Sequence, residues 1–150
     1  MDKIDRKILQ VLQGNARASL QEISQAVGLS ATPCWGRIRK MEESSVIEGY
    51  TVRLNAQALD LGDTVLVQVT LDSHSDNTLE KFGETLAGIP EVVEAYLVSG
   101  EYDYLLRVAV KDTKDYERLL RERLYKIKGI RYSKSSFVLR TLKKADLPLL

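Results

Sequence analysis

Two short stretches of this chain hold side chains with chemistry to offer. Between residues 30 and 43, Arg37, Arg39 and Lys40 crowd three cations together, accompanied by Ser30, Thr32, Trp35, Gly36 and Glu43. Cations at that density neutralise phosphates, and an arginine fork reads the edge of a guanine. A charged helix face is as often merely solvated. The second stretch is Ser99-Gly100-Glu101-Tyr102-Asp103. Glycine there lets backbone N–H groups approach an anion, and an aspartate can hold a cation. On turn chemistry alone, Gly100 and Asp103 need do no more than close a hairpin.

Other chemistries find little support. The chain has one cysteine, Cys34, and one histidine, His74, in the polar run Ser73-His74-Ser75. That excludes an internal disulfide and a multi-cysteine metal site, so we expect no metal ligands, no cofactor and no catalytic residues. There is no paired nucleophile and base and no glycine-rich phosphate loop. With 44% hydrophobic and 29% charged residues the chain reads as folded throughout. Net charge is +1, so any nucleic-acid binding must come from a local arrangement of cations. No apolar run approaches the roughly 18 residues that span a bilayer, and the first residues lack a signal-peptide pattern, which predicts a cytoplasmic protein with no membrane partner.

The first stretch must be positioned by helices. Ile4, Ile8, Val11 and Leu12 line one face of a helix that should stop near Gly14-Asn15. Ser19 and Glu22 form a capping box for a second helix, striped by Leu20, Ile23 and Val27 and closed by Gly28. Ser30 is a candidate N-cap and Pro33 suits a first turn, so a third helix follows with Cys34, Ile38 and Met41 inward. Thr32, Gly36, Arg39, Lys40 and Glu43 then point outward, with Arg37 on the flank. Two helices joined by a glycine turn fit a helix-turn-helix, although a plain bundle stays open. Trp35 is expected to pack inward, as large aromatics usually do. Val46 to Leu54 alternates like a strand leaving this unit.

The second stretch belongs to a β-α-β-β-α-β order. Val65 to Leu71 alternates as a strand, Asn77 and Glu80 suggest a capped helix ending at Gly88, and strands near 92–98 and 104–110 flank the turn. Asp112 caps a helix striped by Tyr116, Leu119, Leu120 and Leu124, and residues 130–142 give the last strand. This is the ferredoxin-like plan, an antiparallel sheet with both helices on one face. Leu66, Leu105, Ala109, Phe137 and Leu139 together with Val67, Val108 and Val138 make both sheet faces look buried, which predicts a homodimer through the sheet. RNA binding by the sheet is disfavoured, because the strand at 104–110 is aliphatic.

The runs MDKIDRKIL, NARAS, VGLSATPCWGRIRKMEESSVIEGY, SGEYDYLLRV and SSFVLRTLK resemble the leucine-responsive regulatory protein/AsnC (feast/famine) family of prokaryotic transcription regulators, over essentially the whole chain. The resemblance implies an α+β protein: an N-terminal winged helix-turn-helix (1–50), a linker strand and hinge (51–63), and a C-terminal ferredoxin-like βαββαβ sensory domain (64–150) for effector binding and oligomerisation. It implies a nucleoid-associated regulator of amino-acid metabolism whose partners are double-stranded DNA, a small-molecule amino acid, and further copies as a homodimer assembling into a tetramer or octamer. The DNA-binding residues would be Ser30, Thr32, Trp35, Gly36, Arg37, Arg39 and Lys40. The effector-binding residues would be Ser99, Gly100, Glu101, Tyr102, Asp103, Ser135 and Ser136, in a cleft between dimers. Gly36 departs from the family pattern, which commonly places a polar or basic residue there. A stand-alone amino-acid-sensing subunit of an enzyme, without DNA binding, is the alternative.

Overall fold

The computed structural model describes all residues except 74, 75, 146 and 150. His74 therefore lies outside the described residues. The chain divides into two compact units, residues 1–53 with 143–150, and residues 54–142.

The first unit holds α1 (Lys3–Gly14), α2 (Leu20–Val27) and α3 (Ala31–Glu43). Its core is small: Ile8, Leu9, Ile23, Cys34 and Met41 are buried, and Ile38 and Ile47 pack against them. Ser19 caps α2 as the sequence predicts, its hydroxyl accepting from the Glu22 N–H at 3.2 Å while the Glu22 carboxylate accepts from the Ser19 N–H at 2.7 Å. Gly28 takes φ 73°, a left-handed conformation that glycine adopts without penalty, and the chain turns within three residues into α3. Ser30 is the N-cap of α3 by position but its side chain makes no cap hydrogen bond. No strand forms between Glu43 and Asp63; the expected linker strand from Val46 to Leu54 is replaced by irregular chain and a short 3-10 turn at Gln57–Leu59. Alternating residues need a partner ladder to become a strand, and among the described residues none pairs with these. The C-terminal segment also departs from expectation. Residues 143–145 and 147–149 group with this unit, Leu149 packing against its core and the Leu147 carbonyl accepting from Gln13 Nε2 at 3.1 Å.

The second unit runs β1 (Asp63–Leu71), α4 (Asp76–Ala87), β2 (Val92–Leu97), β3 (Tyr104–Val110), α5 (Thr113–Glu122) and β4 (Ile130–Phe137), with strand order β2-β3-β1-β4, all antiparallel. This is the expected ferredoxin-like sheet. Val65, Val67, Val69 and Leu71 of β1 and Tyr104, Leu106, Val108 and Val110 of β3 bury one face beneath Phe82 and Leu86 of α4 and Tyr116 and Leu119 of α5. Asp112 caps α5, accepting from the Asp115 N–H at 2.9 Å. Asn77 lies inside α4 and so is not its cap.

The opposite sheet face is less apolar than the sequence suggests. It carries Leu66, Leu105 and Ala109, but also Gln68 and an Arg107–Glu94 ion pair at 2.6 Å. Phe137 pairs in register with Val65, and so belongs to the helix side, where its ring meets Tyr116 edge-on at 5.4 Å. β4 ends at that residue, five short of the expected end, and Leu139 beyond it is 99% exposed.

The contrast between the two serines at the helix starts is testable. Ser19→Ala should cost about 1 kcal/mol, the usual value of a bonded cap, and Ser30→Ala should cost less. Denaturant unfolding read by Trp35, the single tryptophan, measures both; equal losses would contradict the assignment.

Candidate nucleic-acid interface and effector turn

Helix α3 presents two faces because its sequence does. Cys34 and Met41 are buried and Ile38 packs beside them, so Thr32, Trp35, Gly36, Arg39, Lys40 and Glu43 are turned outward and exposed. Trp35, Arg39 and Glu43 stand four residues apart on one stripe, where side chains of successive turns meet. The Arg39 guanidinium sits 5.3 Å from the Trp35 ring centroid, and its Nε donates to Glu43 Oε1 at 2.9 Å. Stacking from one side and a carboxylate from another fix the plane of the guanidinium. Trp35 thus remains 50% exposed and does not pack inward as expected. Its neighbour Cys34 takes the core position, and one step along a helix turns the indole about 100° away from it. At Gly36 an added Cβ would meet nothing within 4 Å, so that stretch of backbone lies open.

Arg37 is placed differently from the other cations. Its Nη1 donates to Asp2 Oδ2 and to Asp5 Oδ1, both at 2.7 Å. Asp2 is the N-cap of α1, where its other oxygen, Oδ1, accepts from the N–H groups of Ile4 and Asp5 at 2.8 and 2.9 Å. Asp5 Oδ2 closes the box on the Asp2 N–H at 2.8 Å. The N–H bond from Asp5 and the bond from Arg37 hold the Asp2 carboxyl at about 2, below its ordinary 3.8. Burial works against Asp5, yet its bonds from the Asp2 N–H and Arg37 leave it lowered as well. The resemblance groups Arg37 with the DNA contacts; its guanidinium is tied to the start of α1. The available signal was the Asp2-x-x-Asp5 spacing, which is a capping box with aspartate at its third position.

The turn between β2 and β3 gathers Ser99 to Asp103. Gly100 takes φ 132°, which side chains with a Cβ rarely adopt. The Val98 N–H donates to the Asp103 carbonyl and the Asp103 N–H to the Val69 carbonyl, each at 2.9 Å. Asp103 Oδ2 also accepts from the Leu71 N–H at 2.7 Å, stapling the turn to the end of β1. Asp103 is thus structural whatever else it does. Beside the turn, Leu79, Glu80, Gly83, Glu84, Leu97 and Tyr104 line a shallow groove, and the Tyr104 hydroxyl donates to the Leu79 carbonyl at 2.7 Å. Ser135 and Ser136 do not join this cluster. They lie on β4, beyond β1 from the turn; Ser135 bonds the Tyr116 hydroxyl at 2.6 Å, and Ser136, the next residue along, turns to the opposite face beside Leu66. Among the described residues no group of three or more histidine, cysteine, aspartate or glutamate residues could hold a metal ion.

Comparison with known proteins gives a consistent picture. The family model described as AsnC-type helix-turn-helix domain matches residues 1–42, and the one described as Lrp/AsnC ligand binding domain matches residues 64–148. The chain is 38% identical over 146 residues to the leucine-responsive regulatory proteins of Escherichia coli (strain K12) and Klebsiella pneumoniae, covering 97% of this chain and 89% of each of those. An AsnC family transcriptional regulator from Agrobacterium tumefaciens superposes with a TM-score of 0.95 at 41% identity, over 99% of this chain and 97% of that one. A transcriptional regulator from Neisseria meningitidis, solved as a complex with L-Met, gives 0.94 at 33% identity over the same shares.

The lowered Asp2 carboxyl has a consequence for acid stability. Because it binds protons more weakly folded than unfolded, its contribution is complete above pH 3.8 and is lost as the pH falls toward 2. Trp35 fluorescence during acid titration should show this loss, and Asp2→Asn should remove that part of it. Identical acid profiles for the two proteins would contradict the network.

Proposed function

The chain belongs to the Lrp/AsnC family of transcription regulators, and from that premise we propose how it reads DNA and what it senses. Helix α3 enters the major groove, with Ser30, Thr32, Trp35, Gly36, Arg39 and Lys40 toward the duplex. Arg39 reads a base edge, held by Trp35 and Glu43, while Lys40 contacts phosphate. The open backbone at Gly36 allows a close approach. The observation that carries this reading is the exposed Trp35–Arg39–Glu43 row on the helix that follows the Gly28 turn.

The effector is an amino acid. The leucine-responsive relatives and the L-Met complex of the Neisseria protein support that class. It binds beside residues 99–103, where Gly100 offers backbone to the carboxylate and Asp103 faces the ammonium. Ser135 and Ser136 are left out of the site, because they face opposite sides of β4. The open sheet face, with Leu66, Leu105 and Ala109, joins two copies, and dimers assemble further into tetramers or octamers. The protein acts by binding and not by catalysis, in the cytoplasm and on the nucleoid; no helix among the described residues is long and apolar enough to cross a membrane.

Two sets of variants test the proposal. On a duplex selected by the protein from a random-sequence library, Arg39→Ala should lose about 1–3 kcal/mol and its preference at one base pair. Gly36→Ala should stabilise the free protein by about 0.5–1 kcal/mol and still weaken DNA binding. Unchanged affinity in both would take α3 off the DNA and leave a sensory subunit. For the effector, a thermal-shift panel of amino acids should find a stabilising ligand. Asp103→Asn keeps an acceptor for the Leu71 N–H while removing the charge, and should abolish that shift without lowering the melting temperature; an undiminished shift would move the site elsewhere.

A further inference from the structure

The buried contacts that α3 itself contributes are small or flexible side chains. Its buried stripe offers a thiol at Cys34 and an unbranched thioether at Met41, with Ile38 only partly covered. Small and flexible side chains fill space but specify orientation poorly. Gly36 lies mid-helix among the residues turned toward DNA and makes the backbone there more pliable. Directional bonds are needed, and Arg37, the residue next to Gly36, makes two.

The network has no spare oxygen. Asp2 spends one on the first turn of α1 and Asp5 spends one on the Asp2 N–H, while the remaining oxygen of each accepts from Arg37 Nη1. A capping box that only capped a helix would leave its outer oxygens to water. Here they reach across 35 and 32 residues of sequence. Asp5 is 15% exposed and Arg37 33%, so this pair is shielded from solvent in a way the Arg39–Glu43 pair is not. In some proteins polar pairs fix a geometry more than they add stability.

We propose that Arg37 is a positioning residue: clamped by the N-cap carboxylates Asp2 and Asp5 of α1, it sets the orientation at which α3 presents Arg39 and Lys40 to DNA. The proposal rests on α3 being the DNA-reading helix. It separates Arg37 from its neighbours, which touch DNA, and gives the first residues of the chain a part in sequence discrimination.

The sign of a charge change distinguishes this from plain electrostatics. Removing a carboxylate near a DNA-binding face should tighten binding to any duplex if charge alone matters, because phosphates repel it. If the carboxylate positions α3, removing it should weaken binding to the preferred sequence only. The experiment uses the full chain with Asp5→Asn, Arg37→Gln and the double variant, titrated by fluorescence anisotropy against the library-selected duplex and against a scrambled duplex at two salt concentrations. We expect Asp5→Asn and Arg37→Gln each to lose roughly tenfold on the selected duplex. Both should keep the scrambled-duplex affinity and a salt slope within the wild-type error, and the double variant should lose no more than either single one. A merely structural role would lower the melting temperature and leave the ratio of the two affinities unchanged in folded protein, which would overturn the proposal. So would tighter binding of Asp5→Asn to both duplexes. So, too, would a salt slope shallower by about 0.9 in Arg37→Gln, the mark of a lost phosphate contact. Should these variants not fold, Arg37→Lys keeps the charge but loses the planar fork; full wild-type discrimination in that variant would overturn the clamp as well. If the wild-type protein selects no sequence from the library, the DNA-reading assignment fails before any variant is made.

Discussion

Everything in the first unit depends on how α3 is held with one face buried and the other bare. Among the described residues, Ile8, Leu9, Ile23, Cys34 and Met41 make the buried core of that unit, a small one for three helices. Such a core decides which face of α3 turns inward. It does not decide the helix's rotation or tilt to the accuracy that base recognition requires, because side chains must reach hydrogen-bonding distance of specific base edges. On the proposed clamp, the polar network from Asp2 and Asp5 to Arg37 supplies that accuracy, and it sits where the outward face begins.

The second unit is organised on a different constraint. Its sheet is covered by helices on one side, so β1 and β3 bury alternate residues, and the uncovered side carries a mixture of Leu66, Leu105, Ala109, Gln68 and the Arg107–Glu94 pair. The turn between β2 and β3 is built from the same ladder. Asp103 donates to Val69 and accepts from Leu71, so the backbone ends of two strands are fixed together. A ligand that engaged the Asp103 carboxylate would act on a residue that also anchors β1. Binding and local order would be coupled through one side chain.

Much of this was legible in the residues. Periodicity located all three N-terminal helices, and Ser19, Glu22 and Gly28 marked the ends of α2 because caps and left-handed glycines follow local rules. Alternation located β1 and β3 with the turn between β2 and β3. What local rules could not give was the partner of a side chain distant in sequence. Arg37 looked like one more surface cation, since nothing in its own helix shows that Asp2 and Asp5 wait opposite. Trp35 was assigned to the interior on general preference, yet the inward position at that turn belonged to Cys34. The sequence leaves the face of Phe137 open, and only register against Val65 of β1 puts it on the helix side. The stretch from Val46 to Leu54 alternates well but pairs with no strand among the described residues, and alternation without a partner is not a strand. Ser135 and Ser136, adjacent in sequence, were joined to one site although successive strand residues face opposite ways.

The central claim is that the outer face of α3 meets DNA in a fixed orientation, and the chain carries its own reporter for that face. Trp35 is the single tryptophan and is half exposed on the same stripe as Arg39. Acrylamide quenching of its fluorescence should fall when the library-selected duplex is added, and fall less with a scrambled duplex at equal saturation, because only a docked α3 shields the indole. Quenching that is unchanged by saturating selected duplex would contradict the account.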